Sequence, residues 1–304
     1  MSGHENDKAE EDGQAKRDGQ GRKRSTSGYG VGNVDTVMSV DEVARQAGEI
    51  ADQGPGRDDL EKLCDGDAHV KIEGMRAGYG KMQILHEFEL LVGAGQSLCL
   101  IGPNGAGKST VLHTIFGFTN IYAGTVTVGD LDVTKMSPKD KLKHAGVAYI
   151  LQDNSVFPDL TVEENLLMGG YLMDTTRKAK EAAERIFSKY ERLAERKNQR
   201  AGVLSGGERR LLEISRALIM EPSVLLVDEP SIGLEPRFID MVFEILDDLQ
   251  NNENKTIVMV EQNAKKGLEF ADIGYVLVSG QLAMAGPGSE LLEDPQVGKL
   301  FLGG

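Results

Sequence analysis

The sequence predicts an α/β fold built around a parallel β-sheet, and two observations support this prediction. Several short runs, such as Val224 to Val227, are entirely apolar, which is typical of strands buried on both faces. A glycine-rich loop also separates one such run from a helical pattern, in the strand–loop–helix order of a phosphate-binding loop. The predicted parallel strands are 97–101, 146–151, 223–228 and 255–260, with a further strand at 273–279.

Two smaller regions complete the predicted fold. Strands near 68–92 and 122–128 are expected to form an antiparallel subdomain beside the nucleotide, and residues 153–203 a helical subdomain. Within the latter, Ala183, Ile186 and Phe187 follow helical spacing and predict a stripe that faces the core. Glu181 and Arg185, four residues apart, are expected to pair on the exposed side of the same helix.

The glycine-rich loop carries the most specific chemistry. Glycines let backbone N–H groups turn inward around a polyphosphate, and the following helix presents its positive N-terminal end to the same anion. Lys108 is expected to reach the β- and γ-phosphates, and the Ser109 hydroxyl to hold Mg²⁺. The residues predicted to bind the nucleotide here are Gly102, Pro103, Asn104, Gly105, Ala106, Gly107, Lys108, Ser109 and Thr110.

A pair of carboxylates follows the apolar run 224–227. Asp228 is expected to reach the Mg²⁺ shell, and Glu229 to polarise an attacking water. Taken alone, the pair would equally suit an acidic turn after a strand. Together with a complete phosphate loop, it favours nucleotide hydrolysis.

A second anion-binding pattern lies between these motifs. Ser205, Gly206 and Gly207 precede a helical run, and a helix N-terminus with glycines permits close approach of an anion. The alternative is a plain helix cap followed by a flexible glycine pair. With Leu204, the run reads Leu-Ser-Gly-Gly, and the chain at this point resembles the ATP-binding cassette (ABC) family. The resemblance implies a P-loop NTPase fold in which two subunits sandwich two ATP molecules, each signature serving the partner's nucleotide.

The resemblance extends over residues 68–304, and further residues occur in the order that it requires. It implies that Tyr79 stacks on adenine and that Gln152 contacts Mg²⁺ and the attacking water. The loop from Gln152 to Leu160 is where it places coupling to a membrane permease.

The chain departs from the family pattern at two positions. The family usually has a histidine that contacts the γ-phosphate where this chain has Gln262, whose amide donates a hydrogen bond but cannot become cationic. Glu235 stands where an aspartate is common and keeps the charge with a longer reach.

The departures help to narrow the subfamily. The stretches 261–264, 230–234 and 300–303 resemble ATP-binding subunits of branched-chain amino acid importers. The same pattern leaves open urea or short-amide uptake, an exporter, a non-transport ABC ATPase, and a regulatory cassette with little turnover. Glutamine at 152, where this subfamily often has glutamate, is one reason that the solute stays open.

Composition agrees with an ATPase subunit that depends on other chains for a pore. The formal charge of −14 argues against nucleic acid as a partner, because phosphate contacts require clustered Lys and Arg. The chain has neither an apolar run near the ~18 residues that a membrane span needs nor the apolar core of a signal peptide. The resemblance implies a cytoplasmic subunit that is bound to permease chains at the inner face of the membrane. It also implies a second cassette, identical or different, and an indirect partnership with a solute-binding protein.

The N-terminal residues 1–66 are predicted to be a separate acidic, largely disordered extension preceding an ATPase domain at 67–304. One short helix is expected at 39–50, because Ser39 and Glu42 form a capping box ahead of apolar residues at helical spacing. The glycine-proline pair that begins at Gly54 should end it.

Overall fold

The computed structural model describes residues 54–152 and 155–301. The strands in this part of the chain are β1 (Ala68–Tyr79), β2 (Met82–Gly93), β3 (Ser97–Ile101), β4 (Asn120–Val128), β5 (Leu131–Asp132), β6 (Val147–Ile150), β7 (Val224–Asp228), β8 (Thr256–Val260), β9 (Ile273–Val278) and β10 (Gln281–Pro287). The helices are α1 (Arg57–Glu61), α2 (Lys108–Phe116), α3 (Pro138–Ala145), α4 (Val162–Gly169), α5 (Thr176–Lys189), α6 (Glu191–Ala194), α7 (Gly206–Leu218), α8 (Pro236–Asn251), α9 (Ala264–Phe270), α10 (Gly288–Glu293) and α11 (Pro295–Phe301), with a 3₁₀ turn at Ala201–Val203.

The central sheet is predominantly parallel, as predicted. Its strand order is β10-β9-β3-β8-β7-β6, and only β10 runs antiparallel to its neighbour. Every residue of β3, β7, β8 and β9 is buried, which is why these strands are continuous apolar runs. Successive residues point to opposite faces, so Leu225 and Val227 join one hydrophobic cluster while Val224 and Leu226 join the other.

The order of the parallel strands positions the site. In a parallel sheet the carboxyl ends of neighbouring strands lie at one edge, where ligands of open α/β sheets bind. The chain leaves β3 into the phosphate loop, β7 ends at Asp228, and β8 and β6 are followed closely by Gln262 and Gln152. Four predicted motifs therefore meet at this edge.

The antiparallel subdomain is a separate four-stranded sheet of order β2-β1-β4-β5. The hairpin between β1 and β2 pairs Tyr79 with Met82, and it therefore places Tyr79 at the hairpin end of β1. Buried residues of this sheet, including Ile72 and Phe88, belong to the same hydrophobic cluster as Val111 of α2. The sheet is thereby packed against the helix that follows the phosphate loop.

The region predicted as the helical subdomain, 153–203, contains helices α4 to α6 and the 3₁₀ turn; its bounds stay a prediction, and one predicted surface pairing within it is wrong. Ala183, Ile186 and Phe187 are buried in the core, as their spacing predicts. Glu181 and Arg185 do not pair with each other. Instead Arg177 donates to Glu181 at 2.8 Å, and Arg185 forms an ion pair with Glu221. Because Glu221 lies beyond α7, the spacing of residues within one helix could not predict this ion pair.

Two strands were not predicted. The β5 strand has only two residues, and β10 contains alanine, glycine and proline, which are poor strand formers. Pairing of β10 with β9 overrides these local preferences.

Part of the predicted N-terminal extension packs on the sheets. Leu60 of α1 is fully buried, and Arg57 of the same helix forms an ion pair with Glu73 of β1. The side chain of Gln96 also accepts from the Asp65 N–H at 2.9 Å and donates to the Leu63 carbonyl at 3.1 Å. The predicted helix at 39–50 and most of the predicted disorder lie outside the described residues, and the boundary at residue 66 stays a prediction.

Candidate active site

The phosphate loop adopts backbone conformations that require glycine. Gly102, Gly105 and Gly107 have φ values of 144°, 82° and 101°, in the region that L side chains avoid. A Cβ at Gly102 would also lie 2.2 Å from the carbonyl oxygen of Leu277, which is too close for any side chain. Gly107 then caps α2, so the loop delivers the helix N-terminus to the space above β3.

Lys108, the first residue of α2, folds back over the loop. Its ammonium donates to the carbonyl oxygens of Gly102 at 2.8 Å and Pro103 at 3.1 Å. Burial lowers the pKa of Lys108, while the charges of Glu229 and Asp228 act in the opposite direction. The residue thus places a cation inside a cradle of small residues, an arrangement that fits a polyphosphate.

The remaining loop residues support this cradle. The Ala106 N–H donates to the Pro103 carbonyl at 3.1 Å, and the Ala106 carbonyl accepts from Gly280 at 2.8 Å, which ties the loop to the β9–β10 turn. The Thr110 carbonyl accepts from Thr114 at 2.7 Å within α2. Asn104 is exposed at the loop surface.

Asp228 is nearly buried, and both of its oxygens are hydrogen-bonded. Ser109 donates to Oδ1 at 3.1 Å, and the Tyr149 hydroxyl donates to Oδ2 at 2.7 Å. The structure therefore brings together Ser109 and Asp228, two of the three residues predicted to arrange Mg²⁺; the third, Gln152, is hydrogen-bonded to Glu229 instead. Tyr149 was not singled out by the sequence, because a tyrosine in an apolar strand looks like an ordinary core residue.

Glu229 and Gln152 also meet. The Gln152 amide donates to Oε2 of Glu229 at 2.8 Å, and the Glu229 N–H donates to the Val260 carbonyl at 2.9 Å. Glu229 has φ 43°, an unusual conformation for a non-glycine residue. The adjacent carboxylates accept hydrogen bonds from different side chains, Ser109 and Tyr149 for Asp228 and Gln152 for Glu229, which fits different roles.

The Gln152 backbone is in turn connected to α7. Arg210 donates to the Leu151 carbonyl at 2.7 Å and to Glu213 at 2.9 Å, and both charged side chains are buried. This buried ion pair connects the helix that follows Ser205 to the strand end that precedes Gln152. Sequence analysis missed it, although two opposite charges three residues apart in an apolar helix are a visible signal.

Tyr79 lies at the edge of an aromatic cluster. Its hydroxyl is hydrogen-bonded to Nδ1 of His113, and the His113 ring lies 5.7 Å from that of Tyr149. Burial lowers the pKa of His113, with Asp228 acting in the opposite direction. The Tyr79 side chain is 42% exposed, so its ring is accessible from solvent.

Ser205 is the N-cap of α7, and it forms a capping box with Glu208. The Ser205 hydroxyl accepts from the Glu208 N–H at 3.3 Å, while the Glu208 carboxylate accepts from the Ser205 N–H at 2.9 Å. These bonds hold the pKa of Glu208 below its usual value. A Cβ at Gly207 would lie 2.1 Å from the Phe238 ring, whereas one at Gly206 would have room. Among the hydrogen bonds of the described residues, none joins Ser205, Gly206 or Gly207 to the phosphate loop.

Gln262 is exposed, directly after the buried Glu261. The Glu261 carboxylate accepts from the Ser231 hydroxyl at 2.7 Å and from the Asn263 N–H at 2.9 Å. Glu261 therefore fixes the backbone on both sides of Gln262 and ties it to the segment that follows Glu229. No sequence pattern distinguished this buried carboxylate from its neighbours.

The donor set fits Mg²⁺ bound together with a nucleotide. In the described ranges, no group of three or more His, Cys, Asp or Glu is arranged to hold a metal by itself. Mg²⁺ in phosphoryl-transfer sites typically takes one or two protein oxygens and completes its shell with phosphates and water. Asp228 and Ser109 supply such oxygens beside the cradle.

A membrane-spanning helix needs a long apolar run, and no helix within 54–152 and 155–301 has one.

The chain is similar to known ABC transporter proteins over most of its length. The family model described as ABC transporter matches residues 85–232. The chain is 41% identical over 226 residues to the high-affinity branched-chain amino acid transport ATP-binding protein BraG of Pseudomonas aeruginosa, covering 74% of this chain and 96% of BraG. It is 36% identical over 229 residues to the probable branched-chain amino acid transport ATP-binding protein LivF of Archaeoglobus fulgidus, covering 75% of this chain and 96% of LivF.

A solved structure supports the same assignment. The crystal structure of a nucleotide-free ATP-binding cassette from an ABC transporter superposes with a TM-score of 0.69 at 27% identity, covering 78% of this chain and all of that one. The predicted fold, an α/β nucleotide-binding domain with antiparallel and helical subdomains, is thereby confirmed. The chain belongs to the family of ABC transporter ATP-binding proteins.

Proposed function

We propose that the protein is the ATP-hydrolysing subunit of an importer for branched-chain amino acids, and that it works as a dimer on a separate membrane permease. One observation carries the proposal: Lys108, Ser109, Gln152, Asp228 and Glu229 converge at the carboxyl edge of one parallel sheet. A phosphate cradle, a metal carboxylate and a candidate general base are thus adjacent, because Ser109, next to Lys108 in the chain, bonds Asp228, and Asp228 is followed directly by Glu229.

ATP binding is assigned to the cradle and to Tyr79. Lys108 would exchange its present bonds with the Gly102 and Pro103 carbonyls for bonds to the β- and γ-phosphates, and the loop amides would donate to the same phosphates. The exposed ring of Tyr79 offers a stacking surface for adenine. Binding would therefore use charge at one end of the ligand and stacking at the other.

Hydrolysis is assigned to the two carboxylates. Mg²⁺, when bound, would neutralise charge on the β- and γ-phosphates. Asp228 and Ser109 would hold it, with Gln152 at its water shell. Glu229 accepts a proton from water as the water oxygen bonds to the γ-phosphorus, the bond to the β–γ bridging oxygen breaks, and ADP and phosphate leave.

Dimerisation is assigned to the second anion-binding turn. Ser205, Gly206 and Gly207 lie at the capped N-terminus of α7. The chain already has a phosphate cradle after β3, and one cassette needs only one cradle for its own ATP. We assign this turn to the nucleotide of a second identical or different cassette, with Gln262 contacting the γ-phosphate in the closed pair. ATP would then act as a ligand that favours the closed dimer, which hydrolysis reopens.

A groove beside the Gln152 loop is the proposed permease contact. Its cavity of about 400 Å³ lies between α2, β6 and the helical subdomain, and is lined by Tyr149, Phe157, Met168, Tyr171 and Arg216, among others. Tyr171 is 80% exposed, and a buried guanidinium nitrogen of Arg216 has no hydrogen-bond partner among the described residues. The charged residues of the lining are Arg216 and Glu213, and Glu213 is paired with Arg210. The mainly apolar walls and the unsatisfied Arg216 nitrogen fit an amphipathic permease helix that supplies an acceptor oxygen.

Solute choice rests on the relatives alone. The names of BraG and LivF assign those proteins to branched-chain amino acid transport. Solute contacts would lie in the permease and the solute-binding protein, so this chain's own residues do not select the solute.

Reconstituted transport tests the proposal. The genes that adjoin the gene of this chain would first be searched for permease and solute-binding-protein genes. The chain would then be co-expressed with those permease chains, placed in liposomes, and supplied with labelled leucine and that binding protein. We expect ATP-dependent accumulation of leucine that is lost in Glu229→Gln. Uptake of urea instead of leucine, or outward transport, would contradict the importer assignment, and failure of the permease to co-purify would contradict the transport role.

A further inference from the structure

Tyr149, near the carboxyl end of β6, contacts two sites that the proposed function treats separately. Its hydroxyl donates to Oδ2 of Asp228, the predicted metal residue, at 2.7 Å. The same residue lines the groove assigned to the permease, as does Phe116, whose ring lies 5.4 Å from the Tyr149 ring. One rigid side chain therefore reaches from the groove wall to the metal carboxylate.

The hydroxyl end is built to orient Asp228. The carboxylate is only 6% exposed, and Ser109 occupies its other oxygen. With Oδ2 held by Tyr149, Oδ1 stays turned towards Ser109 and the phosphate loop.

The ring end is held by aromatic neighbours rather than by a hydrogen bond. The Tyr149 ring lies 5.4 Å from that of Phe116 and 6.0 Å from that of Phe118, at tilted angles. Phe116 also lines the groove. A helix seated there would contact this cluster, and because the phenol is rigid, a shift of its ring would also shift its hydroxyl.

We propose that Tyr149 is a positioning residue that holds Asp228 for Mg²⁺ and links occupancy of the permease groove to the metal site. The inference rests on the proposed function for the identity of the groove's occupant. Partners that orient metal ligands typically contribute ~10- to 100-fold to metal affinity or activity. We expect an effect of that size from the hydroxyl alone.

The first test uses the full chain and a non-hydrolysable ATP analogue. Calorimetry would measure analogue binding in EDTA and over a Mg²⁺ titration for the wild type, Tyr149→Phe and Tyr275→Phe. Tyr275 is the matched control, since its buried hydroxyl bonds the Leu91 backbone away from the site. We expect equal binding in EDTA for all three, and a ~10- to 100-fold higher Mg²⁺ requirement in Tyr149→Phe alone. An unchanged Mg²⁺ requirement in Tyr149→Phe would overturn the positioning role.

The second test repeats the Mg²⁺ titration on the permease complex. We expect the permease to change the Mg²⁺ requirement of the wild type and to leave that of Tyr149→Phe unchanged. An equal change in both proteins would overturn the link, as would no change in the wild type. Failure of the wild type to bind a permease or to hydrolyse ATP would instead count against the proposed function, and the measurement on the free chain would still decide the positioning role.

Discussion

Glu229 has a backbone conformation that is unusual for a glutamate, and of the glutamates with positive φ in the described residues it is the one predicted to act in catalysis. A glutamate at φ 43° is conformationally strained, and such strain persists only where surrounding structure fixes it. Its N–H is bound by the Val260 carbonyl and its carboxylate by Gln152. Gln152 thus holds the carboxylate of Glu229 directly beside Asp228, a place that suits a base acting next to a metal ligand.

The first prediction concerns this base. Glu229→Gln keeps shape and hydrogen bonding but removes the proton acceptor, so we expect ATP binding to persist while turnover falls by about 10²- to 10⁴-fold. Steady-state phosphate release and calorimetric ATP binding check the two parts. Glu87→Gln is the control, because Glu87 is also a glutamate with positive φ and is exposed in β2. Near-normal turnover in the permease-bound Glu229→Gln protein would refute the assigned role.

The second prediction concerns Gln262. If its amide bonds the γ-phosphate in the closed dimer, Gln262→Ala should lower turnover by about ten- to a hundredfold, the effect of losing one hydrogen bond to a charged group. Gln262→His should retain some activity and acquire a pH dependence near the histidine pKa of about 6.5. ATPase rates against pH would be compared for both variants, the parent and Gln281→Ala, an exposed glutamine on β10. Identical profiles would make Gln262 an ordinary loop residue.

At the scale of elements, a comparison of two helices can distinguish the capping role of Ser205 from a role in ligand binding. Both α4 and α7 begin with a capping box, formed by Thr161 with Glu164 and by Ser205 with Glu208. An N-cap alone contributes about 1 kcal/mol to stability. If Ser205 had no further role, its loss should resemble that of Thr161.

The third prediction follows from this pairing. We expect Ser205→Ala and Thr161→Ala each to lower the free energy of unfolding by about 1 kcal/mol. Only Ser205→Ala should also weaken ATP-dependent dimerisation in a Glu229→Gln background, as measured by light scattering. Equal dimerisation in both variants would mean that Ser205 is a cap and nothing more.

The α3 helix contains a buried lysine that gives the fourth prediction. Lys141 is fully buried and donates to the Ile115 carbonyl at 2.6 Å, at the C-terminal end of α2. Burial lowers its pKa from 10.5 to about 8, partly offset by the charge of Asp132. Between those two pH values the unfolded chain holds a proton that the folded chain has released. The contribution of this group to stability therefore rises with pH across that window.

The measurement is urea denaturation at several pH values from 7.5 to 10.5. The wild type should gain roughly 3 kcal/mol over this range relative to Lys141→Met, which has no titrating group at this position. Lys143→Met is the control, because Lys143 is on the same helix but exposed. If the free energy of unfolding changed with pH in parallel for the wild type and Lys141→Met, the Lys141 ammonium would titrate alike in the folded and the unfolded chain, and the prediction would be wrong.

The parts of the fold that the sequence predicted are those governed by local patterns. Apolar runs located the five parallel strands of the central sheet to within one residue at each end, and the glycine-rich stretch located the loop in which Gly102 and Gly107 adopt positive φ values. Contacts between distant segments escaped prediction. Tyr149 meets Asp228 and Arg210 meets the Leu151 carbonyl only because the fold brings separate strands and helices together. Their residue types alone gave no sign of the partner.

At the scale of the whole molecule, the chain joins a cassette to a long N-terminal segment. The two hydrophobic clusters of the described residues and all the predicted site residues lie within 54–301. The α1 helix is the first described element of that part, and it contributes Leu60 to a cluster built mainly by the two sheets. The start of the folded cassette is therefore expected before α1.

The fifth prediction tests where the folded cassette begins. Removing residues 1–53 should leave the melting temperature and ATP binding close to those of the full chain, because no described cluster loses a member. Removing residues 1–61 should destabilise it, since Leu60 is fully buried, and Leu60→Ala in the full chain should cost about 2–5 kcal/mol. Urea denaturation of the three proteins, with exposed Lys62→Ala as a control, provides the comparison. A large loss of stability on removing 1–53 would place a further part of the core before α1, whereas an unaffected Leu60→Ala would show that α1 is dispensable to the cassette.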